Sequence, residues 1–166
     1  GSEVESHAWH DRLTALPNRA LLRDRLEVAV ARARRSGDLV GLLKIELDAF
    51  RALCDAHGSA AADEVLIVVA HRLLAHVRAS DTVARVGGEQ FAVLCDPLDS
   101  PARLEDLAQR LRLAIADPIE LAGRALHLQA NVGASCAAGD VAPDELVRLA
   151  DAALYAEKHR PSRGTR

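Results

Sequence analysis

Aromatic side chains are nearly missing: one Trp, one Tyr and two Phe occur in 166 residues. The core is therefore left to Ala, Leu and Val, and few platforms exist on which single-stranded bases could stack. An excess of basic charge is also lacking. The formal net charge is -3 and the pI about 6.2, which argues against a nucleic-acid polymer as partner. There is no run of eighteen uninterrupted apolar residues and no basic-then-apolar leader, so the expectation is a cytoplasmic segment with no membrane contact of its own. The three cysteines, Cys54, Cys95 and Cys136, form no CxxC, which excludes a metal knuckle or disulfide framework and suits a reducing compartment.

What is present is the balance of an ordinary globule, 49% apolar and 27% charged, at a length that suits one domain. Gly1-Ser2 reads as a cloning remnant, so residues 1–10 are expected to be tag and linker, 11–160 the domain and 161–166 a frayed tail of a piece cut from a longer protein.

Pro17-Asn18 marks a turn, and Asn18 can cap a helix to about Arg35. Leu39 to Asp48 alternates as a strand, with Leu43, Ile45 and Leu47 on one face and Lys44, Glu46 and Asp48 on the other. A short helix from about Ala49 would turn its N–H groups toward whatever those carboxylates face. A helix over about 60–78 follows, then a hairpin from Asp81 to Cys95 around Gly87-Gly88, glycines expected to supply backbone conformations other residues resist. Ser100-Pro101 starts another helix, Ala122-Gly123 turns a second hairpin between 119–121 and 124–132, and a last helix from Pro143 would bury Leu146, Leu149, Ala153 and Leu154. Helices interleaved with hairpins predict an α/β sandwich around a mixed central sheet.

The segments Asp11 to Arg19, Glu46-Leu-Asp-Ala-Phe-Arg, Gly58 to Asp63, Arg78-Ala-Ser-Asp, Arg85-Val-Gly-Gly-Glu-Gln-Phe, and Ala150-Asp151 through Lys158 together resemble the GGDEF family of diguanylate cyclases, in its order and spacing. The resemblance implies a single-domain fold with a five-stranded sheet wrapped by helices, related to nucleotide cyclases. It implies a homodimer in which each domain holds GTP and Mg²⁺ and the two GTP condense to cyclic di-GMP. Carried over by position, Glu46 and Glu89 would be the catalytic and metal carboxylates, with the Leu47 carbonyl a further ligand. Phe50, Arg51, Cys54, Asp63, Gly87, Gly88 and Lys158 would bind nucleotide.

Several positions depart from the family pattern. Glu46 replaces Asp, extending the carboxylate by about 1.5 Å toward an ion that demands near-ideal octahedral geometry. Arg51 stands for Lys, Gln90 for the Glu at the fourth position of the signature, Ser59 for His, Ala62 for Gly, and Ser162 for an Arg, with Arg163 one residue on. Cys54 stands where the family pattern has an Asn that reads guanine; a thiol is a weak donor and acceptor, so one such contact is lost and GTP affinity is expected to fall roughly 5- to 150-fold. By contrast Arg78 and Asp81, nine residues ahead of Gly87, keep the RxxD pattern of the family's product site. Arg can pair with guanine O6 and N7, and Asp can accept from N1–H and N2–H. The expected function is thus a degenerate GGDEF domain that binds cyclic di-GMP as a receptor or regulatory module of a larger bacterial signalling protein, at Arg78 and Asp81 or in the old substrate pocket at Asp63. The alternative is a working cyclase that binds GTP with Mg²⁺.

Overall fold

The Asn18 side chain accepts a hydrogen bond from the Leu21 N–H at 3.0 Å and begins helix α1 (Arg19–Ser36), which ends where Gly37, at φ 80°, closes it with a bond to the Ala33 carbonyl. The computed structural model that shows this describes residues 8–161. Beyond α1 come β1 (Leu39–Leu47), α2 (Phe50–His57), α3 (Ser59–Ala75), β2 (Thr82–Arg85), β3 (Gln90–Leu98), α4 (Pro101–Ala116), β4 (Ile119–Leu121), β5 (Arg124–Leu126), β6 (Ala130–Ala137) and α5 (Pro143–Lys158). Ser100 caps α4 through the Arg103 N–H, with Pro101 in the first turn, as its sequence predicts.

The α/β sandwich is as expected, and its sheet is simpler. Among the described residues β2, β3, β1 and β6 form one four-stranded sheet in that order, every neighbouring pair antiparallel. The anticipated fifth strand and mixed pairing are not seen there; β4 and β5 stand apart as a hairpin whose turn residues Ala122 and Gly123 both have positive φ. The strand expected over 124–132 breaks at 127–129. There the chain crosses from the side hairpin to the main sheet, with Leu128 buried and the Gln129 carbonyl accepting from the Asp48 N–H.

Both sheet faces are covered. Leu43, Ile45, Leu47, Val93 and Phe91 pack beneath Val65, Val69 and Leu73 of α3 and Leu107, Leu111 and Ile115 of α4. Val40, Leu42, Ala92 and Leu94 meet Leu26, Ala29 and Val30 of α1 and Leu146 and Ala150 of α5. Helix α3 ends at Ala75, three residues before its expected end. The buried stripe of α5 is Leu146, Ala150 and Leu154, while Leu149 is exposed. Gly133 of β6 explains that choice: a Cβ there would fall 2.3 Å from both the Ala150 carbonyl oxygen and the Leu154 nitrogen, so α5 lies with its backbone directly on the strand.

Residues 8–10, expected to be linker, join the domain edge. Asn18 donates its side-chain amide to the Ala8 carbonyl, and its N–H to that of Trp9. Residues 1–7 of the expected tag and linker, and 162–166 of the tail expected over 161–166, including Ser162 and Arg163, lie outside the described residues. Asp11, beside this edge, accepts from the Thr14 N–H and hydroxyl and from Arg85, whose guanidinium also reaches the Gly88 carbonyl at 2.8 Å. The β2–β3 hairpin is thus braced at its root. Burial pushes the Asp11 carboxyl up, but the Thr14 and Arg85 interactions outweigh it and hold the group below its ordinary value.

Two consequences are measurable. Gly133→Val forces α5 off the sheet and should lower stability by about 1–3 kcal/mol or more in a denaturant titration. Asp11→Asn should cost about 1–3 kcal/mol at neutral pH. Because the folded carboxyl titrates lower than the unfolded one, its stabilisation is complete above about pH 4 and fades as pH falls through the folded value. Thermal melts of wild type should therefore converge on those of the Asn variant in acid; parallel curves would exclude this brace.

Candidate functional site

Glu46 stands near the end of β1, opposite Gln90 of β3 and Asn131 of β6, so three neighbouring strands present one row of side chains at this end of the sheet. The hairpin joins them through the backbone: the Leu47 N–H donates to the Glu89 carbonyl at 3.0 Å. Ala49, at φ 57°, then turns the chain from β1 straight into α2. Glu46, Leu47 and Glu89 are in this way gathered at one end of the sheet, with the start of α2 beside them.

The glycines act differently from expectation. Neither Gly87 nor Gly88 has a positive φ. A Cβ on Gly87 would come within 3.3 Å of the Gln90 Cβ, so its value is closeness to Gln90; Gly88 contributes the carbonyl that Arg85 clamps.

Both oxygens of Glu46 are engaged. Lys158 Nζ, at the last turn of α5, lies 2.5 Å from Oε1, and Gln90 Nε2 donates to Oε2 at 2.6 Å. Burial raises the Glu46 carboxyl, but Lys158 and Gln90 prevail and hold it below the usual carboxylate range. Lys158 is pushed up, first by its bond to Glu46 and further by the charges of Asp48 and Glu89. The ammonium is thus bonded to one carboxylate and feels the charge of two more. Two residues back along β1, the 4% exposed Lys44 reaches Asp151 of α5 at 3.2 Å, a second tie between the same elements that its sequence position did not reveal.

The Mg²⁺ implied by the resemblance needs oxygen donors in an octahedral array. The groups turned toward Glu46 are an ammonium and an amide N–H, so the donors as arranged do not fit a resident divalent cation. Among the described residues no cluster of three or more His, Cys, Asp or Glu is disposed to hold a metal.

The nucleotide candidates on α2 and α3 are dispersed. Phe50 is buried in the core, which leaves only its backbone to a ligand; Arg51 and Asp63 are exposed; Cys54 is half-buried and packs against the core. Arg78 and Asp81 sit at the opposite end of β2, where Thr82 pairs with Leu94. Four residues of β3 separate Leu94 from Gln90, about 14 Å. Asp81 accepts from the Arg78 N–H at 2.9 Å, and the Arg78 guanidinium pairs with Asp99 at 3.0 Å. Beside them opens a groove of about 450 Å³, lined by Ala79, Ser80, Asp81 and Thr82 and by Arg25 and Arg32 of α1. Arg25 bonds Thr82 Oγ1 and Arg32 bonds Asp96. Sequence reasoning missed Arg25, Arg32 and Asp99; helical spacing of the two arginines seven apart on α1 was the only local signal.

Comparison with known proteins places the fold. A family model described as diguanylate cyclase, GGDEF domain, matches residues 8–163. The bifunctional diguanylate cyclase/cyclic di-GMP phosphodiesterase MucR of Pseudomonas aeruginosa is 40% identical over 163 residues, 98% of this chain and 24% of its own length. The solved GGDEF domain of TpbB from the same organism superposes with a TM-score of 0.85 at 37% identity, covering 90% of this chain and 88% of that one. The coiled coil and GGDEF domain of DgcB from Caulobacter crescentus, solved in complex with cyclic di-GMP, gives 0.87 at 25% identity, covering 95% and 84%. The chain spans well under half the length of the first curated relatives it matches. On these matches, which cover nearly the whole chain, it belongs to the GGDEF domain family.

Proposed function

We propose that this GGDEF domain is a receptor for cyclic di-GMP within a longer, cytoplasmic bacterial signalling protein, and that it reads the dinucleotide at Arg78 and Asp81. The observation that carries the reading is the contrast between the two ends of the sheet. At the hairpin end both oxygens of Glu46 are engaged, by Lys158 and Gln90. At the other end Asp81 lines an open groove together with Arg25 and Arg32. Guanine offers O6 and N7 to a guanidinium and N1–H and N2–H to a carboxylate, while arginines suit the two phosphates. Arg78 is about half exposed and its partner Asp99 more so, an ion pair that costs little to exchange for a ligand. The structure of DgcB with cyclic di-GMP supports the choice of ligand. Among the described residues no helix is long and apolar enough to cross a membrane.

Titration calorimetry with cyclic di-GMP tests the reading. Saturable binding should weaken roughly 5- to 150-fold in Arg78→Ala and nearly as much in Arg78→Lys, which keeps charge but not the planar fork, while Asp63→Ala binds as wild type. No binding, or loss confined to Asp63→Ala, overturns it.

A second reading, an active cyclase condensing two GTP in a homodimer, is favoured by the names of the relatives and by Glu89, which keeps its place beside Leu47. Incubation with GTP and Mg²⁺ or Mn²⁺, followed by nucleotide chromatography, should yield no cyclic di-GMP; steady product formation would establish the cyclase.

A further inference from the structure

The geometry points to Lys158 as a resident counter-ion of this domain: with Gln90 it takes both oxygens of Glu46, so that a divalent cation and the Lys158 ammonium exclude each other at that carboxylate. Three observations combine. The ammonium and the amide N–H each make a short bond to a different oxygen of Glu46, so each oxygen already spends one of its two acceptor sites on a positive or positively polarised group. The Glu46 side chain is only 15% exposed, and Lys158, at 37%, is in contact with Oε1, so a cation that reaches this carboxylate does so beside the ammonium. Helix α5 is also not free to drift away. Its backbone rests on Gly133, and Asp151, two turns before Lys158, is tied to the buried Lys44. The place of Lys158 over Glu46 is therefore fixed by packing, and only the last turn of the helix can yield.

Electrostatics make the exclusion strong. A cation bound to Glu46 with Lys158 in place would lie within a few ångströms of another positive charge, in a partly desolvated site where such repulsion is several-fold greater than in water. Gln90 adds to it by turning its positively polarised amide hydrogens, and not its oxygen, toward Glu46. The outcome is a carboxylate neutralised by the chain itself, at the position where the family resemblance places an external ion. This inference does not depend on the receptor reading: calorimetry at Arg78 and metal titration at Glu46 can fail separately.

The test is Mn²⁺ binding to the intact protein, followed by the paramagnetic signal of the free ion. Wild type and Lys158→Arg should show no saturable site below about 1 mM. Lys158→Met should bind more tightly, and Lys158→Met with Gln90→Glu should lower half-saturation at least about tenfold, with melting temperature rising with Mn²⁺. Glu46→Ala in that background should abolish the gain. A wild-type site that saturates with one ion below about 1 mM overturns the inference. So does a Lys158→Met protein that keeps its circular dichroism spectrum and gains no affinity.

Discussion

Helix α5 meets the sheet at Gly133 with no side chain between backbone and backbone, and much of the domain's chemistry follows from that approach. Leu146, Ala150 and Leu154 can reach the core only because the helix is so close. The same seating delivers Asp151 to Lys44 and Lys158 to Glu46, two ion pairs that a helix a side chain's width further out could not make. A glycine in one strand thereby determines the electrostatic state of a carboxylate in its neighbour.

The two ends of the sheet differ in how their polar groups are spent. At the hairpin end the bonds are short, partly buried and internal, and opening them leaves Glu46 without its partners, which is costly. At the Arg78 end the pairs are exposed, and exchanging them for a ligand costs little. The polar groups of this domain are thus exposed and exchangeable at one end and internally paired at the other.

Local rules exposed much of this. Asn18 and Ser100 announced their helices through capping chemistry, and the alternation of β1 placed Lys44, Glu46 and Asp48 on one side. Beyond Val132 the strand was not legible, because Gly133, Ala134 and Ser135 are small residues chosen for the approach of α5 and carry little strand propensity. The even alternation through Leu126, Leu128 and Ala130 concealed the break between β5 and β6 for a related reason: it persists while the chain changes sheets. At the candidate site, the resemblance brought Glu46, Glu89 and Lys158 together by position. It could not show that Gln90, 44 residues away, turns its amide to Glu46, or that Arg78 pairs with Asp99, since such contacts depend on side-chain direction across strands and loops.

The two ties between β1 and α5 run in opposite polarity: cation to anion at Lys44–Asp151, anion to cation at Glu46–Lys158. A helix that slid along the sheet until Lys158 stood over Lys44 would set ammonium against ammonium, one of them buried. Sliding is also opposed by the buried bond from the Ser135 hydroxyl to the Leu146 carbonyl and by the close seat at Gly133. The charge order therefore works as a vernier, admitting one axial position of α5 and penalising the displaced ones by repulsion.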